Sequence, residues 1–155
     1  MEVLVGKQAQ DMVAKVEPIF KGFPHLPKAI VDFLVMIVPW LAGIGGIFSV
    51  YGGITSTFFG SGRGSAFSAI LGVNPTYFVI SGIIAILTGV LLLMAFKPLR
   101  DGMRTGWMYL FWTTLLSVLS SLVGLVMGVG GIFGLVLSLL IGYYLLFEIK
   151  ASFTK

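Results

Sequence analysis

The chain has 155 residues, of which 57% are hydrophobic and 10% charged, and its mean hydropathy is +1.05. Soluble domains carry about 25% charged residues, so a chain of this length could not keep so much apolar surface away from water. The net charge of +4 does not indicate a nucleic-acid partner, because the basic residues are scattered and form no run with interleaved aromatics. We therefore expect an all-α integral membrane protein.

The first 32 residues carry four Lys, two Glu and two Asp, which excludes a membrane span there. Apolar residues recur in this segment at steps of four and three, at Val5, Ala9, Met12, Val16 and Ile19. This spacing predicts an amphipathic helix that lies in the membrane interface. The alternative is a helix docked on the protein's own cytoplasmic face. No cleavage site follows the first long apolar run, which begins near Phe33, so we expect the segment to remain in the mature protein.

Four apolar segments follow, at residues 33–55, 77–96, 107–127 and 131–149. Each has close to the ~20 residues that a helix needs to cross a 30 Å hydrocarbon core. The sequence therefore predicts a cytoplasmic or interfacial segment, residues 1–32, and a transmembrane domain, residues 33–155, that is a compact bundle of four helices.

The basic residues predict the orientation of these spans. With the N-terminus inside, nine of the ten Lys and Arg residues lie on the cytoplasmic side, and Arg63 alone lies outside. This bias predicts that both termini face the cytoplasm. A prokaryotic cytoplasmic membrane is the simplest location for a chain of this kind, and an organelle membrane is the alternative. Lys97, Arg100, Arg104 and Arg63 are candidate lipid-headgroup contacts.

The connections between the spans carry their own signals. Ser65 to Leu71 is predicted to form a short helix that Gly72 ends, and Asn74 followed by Pro75 is a predicted N-terminal cap for the second span. The third and fourth spans are joined by little more than residues 128–130, which predicts a tight antiparallel hairpin.

Small residues recur at four-residue steps in every span, so that each set shares one helix face. Such faces let transmembrane helices approach closely. The candidate helix-packing residues are Gly45, Ser49 and Gly53; Ser81, Ala85 and Gly89; Ser120, Gly124 and Gly128; and Gly130, Gly134, Ser138 and Gly142. They serve either packing within one chain or association with another copy or another membrane protein. The similar segments GIGGIF (43–48) and GVGGIF (128–133) leave an internal repeat open.

The centres of the four spans contain no Asp, Glu, Lys, Arg or His, and such residues are the usual markers of ion pathways and proton relays. His25 is the one histidine and the chain has no cysteine, so we expect no metal site and no cofactor. The serines and threonines of the spans have no neighbouring base that would activate them as nucleophiles. Catalytic residues are therefore not expected.

Three functions are compatible with this sequence. The favoured one is a non-catalytic structural, assembly or accessory component of the membrane, with the lipid bilayer and a second copy or another membrane protein as partners. The first alternative is an oligomeric channel or transporter for a neutral or weakly polar solute, using a cavity lined by serine and threonine such as Ser120 and Ser121. The second is a lipid-modifying enzyme that acts through Asp32, Asp101 or Glu148.

Overall fold

The computed structural model describes residues 11, 13–15, 26–61 and 65–153. Within these ranges every regular element is a helix. The five α-helices are α1 (Lys28–Phe59), α2 (Ser65–Ile70), α3 (Pro75–Arg100), α4 (Arg104–Val126) and α5 (Ile132–Ile149), and a single 3₁₀ turn, Lys150–Ser152, follows α5.

Three of these helices, α1, α3 and α4, are long and apolar enough to cross a membrane. The fourth predicted span coincides with α5, whose 18 residues correspond to a length of about 27 Å at 1.5 Å per residue. The chain thus has the helices of an integral membrane protein. A fourth crossing and the orientation of the termini stay predictions.

α1 and α3 extend beyond both ends of the apolar segments that predicted them. α1 begins at Lys28, and it continues to Phe59 because its polar C-terminal residues bond to their own helix. Thr55 donates its hydroxyl to the carbonyl of Gly52 at 2.9 Å, and Thr57 donates to Gly53 at 2.8 Å. Hydroxyls satisfied in this way do not interrupt a helix.

The predicted helix signals between α1 and α3 are confirmed. α2 covers Ser65–Ile70 and is followed by Gly72, whose φ of 66° is a conformation that favours glycine. The side chain of Asn74 accepts a hydrogen bond of 2.9 Å from the backbone N–H of Thr76, and Pro75 is the first residue of α3. The sequence therefore defines the start of α3 through local chemistry alone.

The helices pack in the order α1, α3, α4 and α5. α1 lies antiparallel along α3, α3 packs on α4, and α4 packs on α5, whereas contacts between α1 and α5 are sparse. The packing of the described helices is therefore more open between α1 and α5 than the predicted compact bundle would be.

The main core lies at the end of the molecule where α3 ends and α4 begins, which is the predicted cytoplasmic end. Trp107, Phe111 and Met108 are the largest hydrophobic side chains that are fully buried there. Tyr143 of α5 contacts Phe111 edge-on, with ring centroids 5.7 Å apart. The indole N–H of Trp107 donates to the carbonyl of Leu146 at 2.7 Å. This core joins the last turns of α5 to the first turns of α4.

Part of the N-terminal segment reaches the same core. Val13 is only 4% exposed and belongs to the core cluster, while Asp11, Ala14 and Lys15 around it are exposed. This contact favours docking of residues near Val13 on the predicted cytoplasmic end of the protein. Val13 is not a position of the predicted amphipathic face. The positions of that face, Val5, Ala9, Met12, Val16 and Ile19, lie outside the described residues.

Candidate functional site

A close backbone approach joins α1 and α3 at several positions along their length. Gly46 and Gly53 of α1 face Gly89 and Gly82 of α3, and we call these four residues the glycine seam. A Cβ atom added at Gly53 would lie 2.6 Å from the carbonyl oxygen of Gly82, and one added at Gly89 would lie 2.7 Å from that of Gly46. Neither distance allows a side chain, so the two backbones touch.

Hydrogen bonds support the glycine seam at its predicted outer end. The hydroxyl of Ser56 donates to the carbonyl of Phe78 across the helix pair at 2.9 Å. It also lies 3.3 Å from the hydroxyl of Ser81. Hydrogen bonds between transmembrane helices each contribute about 0.6 kcal/mol, so the seam combines close packing with a modest polar link.

The candidate helix-packing residues of the first two spans only partly coincide with the glycine seam. Gly53 and Gly89 belong to it, and Ser81 joins it through its hydrogen bond. A Cβ at Gly45 would meet only the side chain of Leu92, at 3.9 Å, and Ser49 and Ala85 are only partly buried.

The physical reason for this partial match is the number of residues between successive contacts along each helix. Two antiparallel helices that cross at a small angle meet again after seven residues, not after four. Gly46 and Gly82 were missed for that reason, although the seven-residue steps from Gly46 to Gly53 and from Gly82 to Gly89 are visible in the sequence.

Between α4 and α5 the prediction needs correction. Gly128 has a φ of 73° and lies in the connection, as does Gly130, whose N–H donates to the carbonyl of Gly124 at 2.9 Å. Both were predicted as helix-packing residues and as part of the connection between the third and fourth spans. The predicted connection is confirmed, and the chain turns there because the αL conformation at Gly128 ends α4. The similar segments at 43–48 and 128–133 accordingly differ in conformation, the first being helical throughout.

Of the remaining candidate helix-packing residues of α4 and α5, some lie at helix contacts. A Cβ at Gly124 would lie 3.6 Å from the hydroxyl of Tyr77, and one at Gly142 would lie 3.0 Å from the methyl of Thr114. Both glycines therefore lie at helix contacts. Gly134 and Ser138 lie within α5, and their surroundings are outside the described part.

A cavity of about 270 Å³ lies between all four long helices, and we call it the inner cavity. Its lining is apolar apart from Thr114. The lining residues are Leu34, Val38, Leu41 and Ala42 of α1, Leu92 of α3, Leu110 and Thr114 of α4, and Gly142, Leu145, Leu146 and Ile149 of α5. These residues lie toward the N-terminal part of α1 and the C-terminal part of α5, so the cavity adjoins the predicted cytoplasmic end.

A second cavity of about 260 Å³, which we call the outer cavity, lies toward the opposite end. It is lined by Tyr77, Ser120, Ser121, Gly124, Gly130, Gly131 and Leu135. Ser120 and Ser121, the two predicted polar lining residues, therefore do line one cavity. Thr114, Ser117 and Ser121 follow one another at steps of three and four, which places them on one face of α4 between the two cavities.

The charged candidates lie at the helix ends. Lys97, Arg100 and Arg104 are exposed at the α3–α4 corner, and the Arg100 guanidinium lies 5.9 Å from the ring centroid of Trp40. The ammonium of Lys150 lies 5.6 Å from the ring centroid of Trp107. Such placement is typical of residues at headgroup depth. Arg63 lies outside the described residues.

The three carboxylates that an enzyme would use lie on separate elements. Asp32 is exposed near the start of α1, and Asp101 is exposed in the α3–α4 connection. Glu148, near the end of α5, accepts a hydrogen bond of 2.7 Å from the backbone N–H of Leu26. That bond links the end of α5 to the residues that precede α1. Glu148 therefore has a structural role at the predicted cytoplasmic end.

The geometry thus offers three surfaces on which a function can be argued, namely the glycine seam with the free face of α1 behind it, the inner cavity and the outer cavity.

No protein-family model, curated protein or solved structure matches the chain.

Proposed function

We propose that this protein is a non-catalytic structural or accessory component of the membrane, with four helices across the bilayer, that assembles laterally through the face of α1 opposite the glycine seam. The partner is a transmembrane helix, from a second copy or from another membrane protein. The proposal rests on one observation: the two faces of α1 are used differently.

Gly52 and Gly53 illustrate this difference. Gly53 touches the backbone of α3, whereas a Cβ at Gly52 would meet no atom within 4 Å. Around Gly52 the same face carries large exposed side chains, including Phe48 and Tyr51, which are 70% and 68% exposed. A glycine between large side chains forms a notch into which a ridge of another helix fits.

The length of α1 supports lateral association. Its 32 residues correspond to about 48 Å, against about 30 Å for the hydrocarbon core. A helix of that length must tilt or project, and association with another helix is one way in which the mismatch is relieved. α1 also packs mainly on α3, so most of its surface is available to a partner.

The test compares Gly52→Leu with Gly53→Leu. The wild-type protein, extracted with its own lipids, should show a homo-oligomer or a complex of defined stoichiometry in native mass spectrometry. Gly52→Leu should weaken that association about tenfold, which corresponds to about 1.4 kcal/mol, and leave the thermal unfolding midpoint unchanged. Gly53→Leu should lower the midpoint, because it forces α1 and α3 apart. A wild-type protein that is monomeric at all concentrations tested contradicts the proposal, as does unchanged association in Gly52→Leu.

The outer cavity favours one second candidate, the passage of a small neutral solute. The hydroxyls of Thr114, Ser117 and Ser121 follow one face of α4 from the inner to the outer cavity. They donate to carbonyls of their own helix at 2.9 to 3.0 Å, and their remaining lone pairs can accept from a solute.

Permeation is tested by flux into proteoliposomes. Glycerol or urea entry should exceed that of empty liposomes and fall severalfold in the double variant Ser120→Val and Ser121→Val. Thr88→Val is the matched control, because the Thr88 hydroxyl also bonds to its own helix, at Ile84, but lines neither cavity. Equal flux in wild-type and empty liposomes would exclude this candidate.

A further inference from the structure

We infer that the inner cavity is a specific lipid site, which holds one acyl chain of an anionic phospholipid from the cytoplasmic leaflet while its phosphate contacts Lys150. This inference is independent of the proposed function, since the residues involved lie away from Gly52.

The lining of the inner cavity defines the chemistry of its occupant. Ten of the eleven lining residues are apolar or glycine, and Thr114 already donates its hydroxyl to the carbonyl of Leu110. Apolar cavities do not hold water and instead take up apolar molecules, even at about 150 Å³. At about 270 Å³ the inner cavity has room for a longer group, and in a bilayer the abundant apolar molecule is a lipid chain.

The shape of the inner cavity suits a chain that enters from the side. It is a groove rather than an enclosed void. α3 and α4 line one side of it, and among the described helices the contacts between α1 and α5 are sparse, so the inferred entry for the chain lies between α1 and α5. Its α1 residues, from Leu34 to Ala42, extend over about 12 Å of helix, close to the ~15 Å depth of one leaflet's hydrocarbon.

The charge at the mouth of the cavity selects the headgroup. Ile149 lines the cavity and Lys150 follows it directly, with its ammonium 5.6 Å from the Trp107 ring centroid and 5.9 Å from that of Phe147. These rings hold the cation close to the end of α5. Lys28 and Arg104 begin two other lining helices at the same end of the molecule. Between residues 26 and 153, five basic residues lie at this end, against the three carboxylates Asp32, Asp101 and Glu148. A phosphate at this level would therefore meet a net positive charge, which favours anionic lipids.

The experiment measures lipid retention. The full-length protein is reconstituted in nanodiscs that contain equal amounts of phosphatidylcholine and phosphatidylglycerol, and the lipids that remain bound on release are counted by native mass spectrometry. We expect one retained lipid per chain, predominantly phosphatidylglycerol.

Leu145→Trp fills the inner cavity and should reduce retention at least fivefold. Leu140→Trp is the matched control on the same helix, because Leu140 is 43% exposed and does not line the cavity. Should Leu145→Trp fail to fold, Val38→Phe fills the cavity from α1. Lys150→Gln should retain a lipid but lose the preference for phosphatidylglycerol, while Lys97→Gln should keep that preference.

Each possible outcome bears on the inference. Equal retention in Leu145→Trp and Leu140→Trp, or a wild-type protein that retains no lipid, would overturn the acyl-chain site. An unchanged lipid preference in Lys150→Gln would overturn the headgroup contact. Gly52→Leu should retain the lipid whatever its effect on association, so failure of the proposed function and failure of the lipid site are distinguishable.

Discussion

Single residues at the end of α5 show how a helix can end without a side-chain cap of its own. The backbone N–H of Lys150 bonds to Phe147, one residue short of the usual helical acceptor, Leu146. The carbonyl of Leu146 instead accepts from the indole of Trp107 on α4. The last carbonyls of a helix lack partners within it, so a side chain from another helix takes that role.

Trp107→Phe tests this contact. Phenylalanine keeps most of the ring packing but removes the N–H donor, and the loss should be about 0.6 to 1.7 kcal/mol. Thermal unfolding in detergent should show a midpoint lower by about 1 to 7 °C, at about 2 to 4 °C per kcal/mol for a chain of this size. Trp40→Phe is the control, because Trp40 is 55% exposed. Equal effects in the two variants would contradict a role for the indole hydrogen bond.

At the scale of elements, the helices themselves were predictable because their signals are local. Apolar length predicted the positions of α1, α3, α4 and α5, and the short helix α2 and the cap at Asn74 followed from turn and cap chemistry. The boundaries of α1 differed by several residues, since hydroxyl groups such as that of Thr57 are satisfied within the helix and so do not end it.

The pairing of α1 with α3 was less predictable. A four-residue step of small residues identifies a face that can approach another helix, but it does not identify the helix that is met or the register. The glycine seam repeats every seven residues because both α1 and α3 take part in it. The α3–α4 corner adds Gly106, where a Cβ would lie 2.5 Å from the backbone nitrogen of Leu99.

Gly82→Ala tests the glycine seam at the scale of the helix pair. The added methyl would lie 2.7 Å from the carbonyl oxygen of Gly53 and would also clash with Thr57, so α1 and α3 must separate. Overpacking of this kind costs about 1 to 3 kcal/mol, which thermal unfolding should report as a lower midpoint. Gly52→Ala, on the open side of α1, should not lower it. Similar midpoints for the two variants would show that the helices are not in close contact at Gly82.

For the whole molecule, the arrangement of helices separates three surfaces. The glycine seam joins α1 to α3, the outer face of α1 is the proposed association surface, and the contacts between α1 and α5 beside the inner cavity are sparse. The basic residues Lys28, Arg104 and Lys150 lie at one end of this arrangement, as the predicted cytoplasmic orientation requires. The proposed assembly surface and the inferred lipid site therefore lie on different parts of one scaffold.

The sequence by itself determined the solvent and the elements. Hydropathy requires a lipid environment, apolar length defines the helices, and local residues such as Asn74 and Gly72 define where two of them start and stop, because each of these effects acts within a few neighbouring residues. Only the tertiary structure decided which glycines touch and that leucines from four helices surround one cavity. Those features depend on the register and crossing of helices that are distant in sequence, and a pattern within one helix does not specify the helix that it meets.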